Sequence, residues 1–246
     1  MIKQLKKNQR KIWRYFLLLI FLAGACRAAY VTGIRSSHVT VKELDSLQLE
    51  ECTKLMIVAH PDDETIWGGA HLADKGYFVV CLTDGYNKTR RNEFQNTIKE
   101  SGNKGLILRY PDKVHGERSN WAGDKKDIIK DLDTILTYKH WNMVVTHNPE
   151  GEYGHIHHEM ISQLVTQEYY RNYQKNDLYY FGQYYKKKVL PEVESSLRKV
   201  SSENEAVKRS LLKNYKSQQK VVDMFAHMIP YEEWIQSGAN RELRDE

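Results

Sequence analysis

Three cysteines in 246 residues are too few for a disulfide framework. A Cys52–Cys81 bridge stays open, because sequence carries no geometry. No long apolar run is present either. The longest uncharged stretch near the N-terminus, Tyr15–Cys26, has twelve residues, short of the roughly 20 that a spanning helix needs. Internal repeats and low-complexity segments are absent. The domain also lacks a basic surplus, although the chain carries +5 overall. Residues 1–27 hold seven basic side chains and no acid, and the remainder carries −2. That balance gives no case for a nucleic-acid partner.

What is present at the N-terminus is a targeting pattern. Lys3, Lys6, Lys7, Arg10, Lys11 and Arg14 precede the uncharged stretch, and Ala23-Gly24-Ala25 suits a small-residue cleavage site. Residues 1–29 are therefore expected to be a signal peptide or an N-terminal membrane anchor, with Trp13 and Tyr15 as an interfacial belt. Either places the domain outside the cytoplasm, and membrane association, if any, runs through this segment. Cys26 does not make a lipoprotein signal, since Ala23 stands where leucine is wanted. Residues 30–52 are polar and read as a linker, leaving 53–246 as one domain of ordinary α/β size.

Within that domain, apolar runs alternate with amphipathic ones. Strands are expected at 55–59, 77–82, 105–110 and 143–146, and a Tyr-rich one at 178–184. Helices are expected near 65–75 (ending at Gly76), 91–100, 124–138 and 159–173. Ile128, Ile129, Leu132, Ile135 and Leu136 line one face of the third helix. A long final helix is expected after Ser202, which with Glu205 can form a capping box. This rhythm means crossover units and a parallel sheet. Lys186-Lys187-Lys188 reads as a solvated face, and Asn87-Lys88-Thr89 fits a glycosylation sequon.

Two stretches carry chemistry. The first strand breaks off into His60-Pro61-Asp62-Asp63-Glu64. Pro61 fixes its own φ and pushes His60 out of the helical region, so the chain turns there. An acidic helix start suits the macrodipole. Yet three neighbouring carboxylates in a poorly solvated corner repel one another unless a cation shares the site. The second stretch, Asn148–Glu159, follows the fourth strand and contains Tyr153-Gly154-His155-Ile156-His157-His158. Both fall at the carboxyl edge of a parallel sheet, where such folds gather ligands. Periodicity does not settle which histidine binds, because His157 and His158 both project towards the inner face.

Together the two motifs resemble those of the PIG-L/LmbE family of metal-dependent de-N-acetylases, and the resemblance covers roughly residues 53–225. Weaker echoes are Leu82-Thr83-Asp84-Gly85, Arg90-x-x-Glu93, Pro111-Asp112 and the Ser217-Gln218 region. The resemblance implies an α/β, Rossmann-like three-layer sandwich with a mostly parallel sheet. It implies a zinc ion on His60, Asp63 and His158, a ligand set with room for water that also suits iron(II). Asp62 would be the general base, and His155 would stabilise the oxyanion or protonate the amine. Tyr153 would add a donor. Arg90, Asp112 and His157 are read as substrate-binding residues, Arg90 through substrate or a carboxylate and Asp112 through sugar hydroxyls.

One departure stands out. The family commonly has Asp where this chain has His157, so His155 lacks an acid beside it and is expected to titrate low. The implied activity is removal of the acetyl group from an N-acetylglucosamine-containing glycan, glycolipid or glycoconjugate. Two other readings remain at this level: a hydrolase of the same design acting on another acyl or carbamoyl group, and a non-catalytic, metal-containing carbohydrate-binding protein.

Overall fold

A computed structural model describes residues 38–173 and 177–238, together with Trp13 and Tyr15. The targeting segment, including Cys26, otherwise lies outside the described residues, and among those no helix is long and apolar enough to cross a membrane. The compact unit that carries both motifs begins at His38.

Its sheet has six strands in the order β3-β2-β1-β6-β7-β8: β1 (Lys54–Val58), β2 (Tyr77–Thr83), β3 (Lys104–Tyr110), β6 (Met143–Thr146), β7 (Leu178–Phe181) and β8 (Trp234–Gln236). The two-residue strands β4 (Lys113–Val114) and β5 (Glu117–Arg118) form a separate hairpin. Every pairing in the large sheet is parallel except β7 with β8. The chain runs outward from β1 through β2 to β3, then returns to lay β6 on the other side of β1. The sheet therefore has a switch point between β1 and β6, and the two motifs leave from the ends of these two strands.

Alternate side chains of the central strands feed two cores. Leu55, Ile57 and Ala59 pack with Phe78 and Val80 against Ile128, Leu132 and Ile135 of one helix (Lys125–Thr137) and Ile161 and Val165 of another (Ile156–Asn172). Met56, Val58, Val79 and Cys81 face the opposite layer, built from Phe94, Ile98, Leu211 and Phe225. Cys52 belongs to the first core and Cys81 to the second, and both are free thiols. Helix Lys88–Ser101 is capped by Asn87, whose side chain accepts from the Thr89 and Arg90 amides, and it ends at Gly102 in the left-handed region. The sequon asparagine thus has a folding task of its own.

The structure corrects three expectations. The polar 30–52 linker is, from His38 onward, part of the domain. Val39, Leu44, Leu49 and Cys52 are buried in the first core, and the Val39 amide donates to Asp131 at 2.9 Å. The helix expected at 65–75 is interrupted at Gly68-Gly69 and reduced to Asp63–Ile66 plus a 3-10 turn, His71–Asp74. The long final helix is broken in two, Ser202–Leu212 and Gln219–Phe225, and its cap is Ser201, which accepts from the Asn204 amide at 3.1 Å. Tertiary hydrogen bonds override propensity at the break. Tyr215 turns inward to donate to Glu64 at 2.5 Å, and Ser217 gives both its amide and its hydroxyl to Glu93.

Gly85 marks the turn after β2. A Cβ there would lie 2.3 Å from the Leu108 carbonyl oxygen, so backbone would have to move. Gly85→Ala is expected to cost about 1–3 kcal/mol, read as an earlier urea midpoint.

Candidate active site

His60 leaves β1, and Pro61 turns the chain so that Asp62 adopts φ 123°, ψ −29°. Non-glycine residues rarely occupy that region, and such strain persists where the surroundings over-determine it. Here they do. Asp62 and Asp63 are each 4 % exposed, the Asp62 amide donates to Glu64, and the Asp63 carboxylate accepts from the His60 amide at 2.8 Å.

The three acids of the first motif do different things. Glu64 is taken up by the Thr65 hydroxyl, the Asp62 amide and Tyr215, so it holds the fold rather than a cation. Burial raises its pKa. Asp63 is the convergence point. Its Oδ2 lies 3.2 Å from His60 Nδ1, 3.3 Å from His158 Nε2 and 3.5 Å from His147 Nε2. Burial would raise its pKa, but His158 and the hydrogen bonds from these histidines hold it well below the usual carboxylate range. Asp62 stands beside this cluster, with Arg90 at 3.4 Å. Burial, only partly offset by Arg90, lifts its pKa to about 7. A cation bound at Asp63 would bring it back down, since positive charge favours the carboxylate.

From β6 the chain supplies His147, then a kinked helical turn, Gly151–Gly154, in which Glu152 has φ 57°. His155 starts the helix Ile156–Asn172 as its cap and accepts from the His157 amide. Glu152 is the anchor of this segment. Its Oε2 lies 2.5 Å from His158 Nδ1 and 3.0 Å from His147 Nδ1, while Oε1 accepts from the Asn148 amide. A carboxylate on Nδ1 points the Nε2 lone pair of His158 inward, the usual orientation of a metal-ligating histidine. That Nε2 is buried and has no hydrogen-bond partner. Burial opposes charge on His158, but Asp63 and Glu152 outweigh it and raise its pKa to about 10.

Asp63 Oδ2 thus lies beside both His60 Nδ1 and His158 Nε2, and a buried His158 nitrogen without a hydrogen-bond partner beside a carboxylate fits a divalent ion. The side chains here whose donor atoms lie within 4.8 Å of one another include Asp63–His147–His158 and His60–His155–His158. His147 also lies near Asp63, but its Nε2 accepts the Ala59 amide at 3.0 Å, which occupies the lone pair a ligand would need. His155 is close as well, its ring 4.8 Å from that of His60 and 4.5 Å from that of His158. Its pKa falls to about 2 through burial first, then the charges of His158 and His60. Tyr153 is 42 % exposed on the rim. Its ring meets Trp67, Phe225 and Tyr184 to form an aromatic wall beside the histidines.

The three residues read as substrate-binding have partners within the chain. Arg90 is buried against Asp62 and Asp84, so it meets carboxylates of its own chain. His157 is fully buried. It stacks on Trp121 at 4.2 Å and faces His60 and Asp112. Asp112 lies 3.2 Å from His60 Nε2 and also holds Arg118. Sequence reasoning assigned no role to His147, Glu152, Trp121 or Arg118. Only His147 left a signal, because it exits β6 as His60 exits β1.

The model of the PIG-L family, described as GlcNAc-PI de-N-acetylase, matches residues 55–169, a span that includes every residue of this cluster. An uncharacterized protein of Acanthamoeba polyphaga mimivirus is 33 % identical over 180 residues, covering 66 % of this chain and 75 % of that protein. Among solved structures, the N,N'-diacetylchitobiose deacetylase of Pyrococcus horikoshii is similar at TM-score 0.56 and 15 % identity, over 82 % of this chain and 94 % of that one. The A40926 pseudoaglycone deacetylase follows at 0.53 and 18 %, over 71 % and 85 %. A 4-carboxy-2-hydroxymuconate hydratase from Pseudomonas putida matches at 0.52 and 16 %, over 72 % and 84 %. At these identities the structural likeness is one of fold, which hosts more than one reaction. The α/β sheet with its switch-point site, the family match and the viral relative agree: the chain belongs to the PIG-L family of deacetylases.

Proposed function

We propose that the chain is a zinc-dependent hydrolase that removes the N-acetyl group from an N-acetylglucosamine-containing glycan, glycolipid or glycoconjugate. The observation that carries this reading is the convergence of His60 Nδ1 and His158 Nε2 on Asp63 Oδ2, with Asp62 left free of that cluster. His60, Asp63 and His158 would hold the ion, and iron(II) suits the same donors. When bound, such an ion supplies Lewis acidity for the amide carbonyl and acidifies water.

The remaining work falls to the chain's own side chains. Asp62 takes a proton from the attacking water and hands it to the amine nitrogen as the C–N bond breaks, so acetate and a free amine leave. Arg90 holds the Asp62 carboxylate in place from behind. His155, uncharged through burial, offers a ring N–H to the oxygen that gains charge. The wall of Tyr153, Tyr184 and Phe225 supports one face of a sugar ring. The basic, then uncharged, N-terminal stretch supports export, with the domain secreted or anchored by that segment. Export favours a surface glycan as substrate. Mass spectrometry of the mature protein recovered from an extracytoplasmic fraction tests this; finding it only in the cytoplasm sinks the idea.

Incubation with N-acetylglucosamine, chitobiose and N-acetylglucosaminyl lipid conjugates is expected to release acetate. A chelator should abolish release, and added Zn(II) should restore it. Acetate release that persists after complete metal removal refutes metal dependence. Turnover of only another acyl or carbamoyl conjugate moves the substrate class, and inertness towards all of them leaves a binding protein.

A further inference from the structure

We propose that His60, Asp112 and His157 form a second divalent-cation site, bridged to the first through the His60 imidazole. The first site uses His60 Nδ1, on the side of Asp63. The opposite nitrogen, Nε2, lies 3.1 Å from His157 Nδ1 and 3.2 Å from Asp112 Oδ1, and those two atoms are 3.5 Å apart. Donors about 2.0–2.1 Å from a tetrahedral zinc ion are separated by roughly 3.3 Å. The triangle is already of that size.

The protonation states fit an ion better than a hydrogen bond. His157 Nε2 faces the Ser119 carbonyl oxygen at 2.7 Å. A carbonyl only accepts, so Nε2 carries the ring proton and Nδ1 presents a lone pair. Donation of the distal N–H to a backbone carbonyl is how metal-ligating histidines are commonly held. Stacking on Trp121, 8° from parallel, fixes the ring plane. His60 Nε2 then faces two electron-pair donors, the His157 lone pair and the Asp112 carboxylate, and an ion would be held by all three. Arg118 pairs with that same Asp112 Oδ1 through a side chain that is 43 % exposed, so an ion there would have to displace it towards solvent. An ion on each ring nitrogen would require His60 to give up its remaining ring proton to solvent, so that the ring could serve both. Two imidazoles and one carboxylate suit Zn(II), and Co(II) serves as its spectroscopic substitute.

The bridge rests on the first site described above, so the test separates the two. The full chain is loaded with Co(II) or Zn(II), freed of excess by gel filtration, and its metal counted by mass spectrometry. Two ions per wild-type chain are expected. His157→Leu and Asp112→Asn should each retain one, and His158→Ala should retain the other. Two Co(II) ions sharing the His60 ring couple magnetically, so wild type should show an attenuated spin-resonance signal that His157→Leu restores. If His157→Leu does not fold, Asp112→Asn decides alone. One ion in wild type that is lost in His158→Ala overturns the second site and leaves the first. Two ions retained in both Asp112→Asn and His157→Leu overturn it as well, and none in wild type overturns both.

Discussion

Asp62→Asn is expected to lower kcat for acetate release by about 10²- to 10⁴-fold, the usual worth of a positioned acid–base group, while metal content stays at the wild-type value. The replacement is nearly isosteric, and asparagine tolerates positive φ better than most residues. Arg90 keeps Asp84 at 3.6 Å and Glu93 at 3.9 Å as partners, so the fold is not left with an unpaired buried cation. The loss should fall on kcat rather than KM, since a base contributes in the transition state and little to ground-state binding. A change below tenfold in kcat would mean that Asp62 serves only to shape the turn after β1.

The second large effect lies away from the chemistry. Lys208 Nζ meets Glu232 at 2.7 Å, with both side chains 1 % exposed. Glu232 also accepts from the Ala70 and His71 amides and from the His71 ring. This carboxylate ties the helix Ser202–Leu212 to the 3-10 turn at His71–Asp74. Lys208→Met removes one charge and leaves the other buried, which costs about 3–5 kcal/mol. Lys208→Met combined with Glu232→Gln should recover much of that, because the pair's desolvation cost disappears with its charges. Urea denaturation of the single and double variants gives the comparison. Equal losses in both would mean that the Glu232 hydrogen bonds, not the charge, hold the turn.

The same pair sets an acid limit. Burial raises the Glu232 pKa, but Lys208 and His71 outweigh it and bring it from 4.5 down to about 2. A group with a depressed folded pKa stabilises fully above its unfolded value and loses that contribution as pH falls through the folded one. Glu232 therefore contributes about 3 kcal/mol above pH ~4.5, and this drains away towards pH ~2. In Lys208→Met the folded pKa rises, so the slope of stability against pH in this window should flatten.

How far the sequence could be read depended on whether a residue's task was local. The β1 exit, the amphipathic face of Ile128, Leu132 and Ile135, and the two motifs at the strand ends were legible because strand length, helical period and motif spacing are short-range signals. Val39, Leu44, Leu49 and Cys52 were not, since four buried side chains spread over fourteen residues show no period. The break at Tyr215 was hidden because its cause, Glu64, lies 151 residues away in sequence. Glu152 and Trp121 escaped for the same reason: each acts by touching a histidine that the chain brings to it only on folding. The surroundings of His157 were hidden too: its helical phase matches that of His158, and nothing in the sequence shows that Trp121 stacks on its ring.

The turn at Asp62 has a consequence for how such chains diverge. Its backbone sits where glycine would be comfortable, and its carboxylate is shut away from water, so the residue is unfavourable on both counts. Its one structural partner is the buried Arg90, which keeps two other carboxylates. A descendant released from turnover can gain thermal resilience by letting the position drift to glycine while His60, Asp63 and His158 stay intact. Glycine at this point in a relative is then the mark of a fold that has kept its metal cradle and given up its reaction.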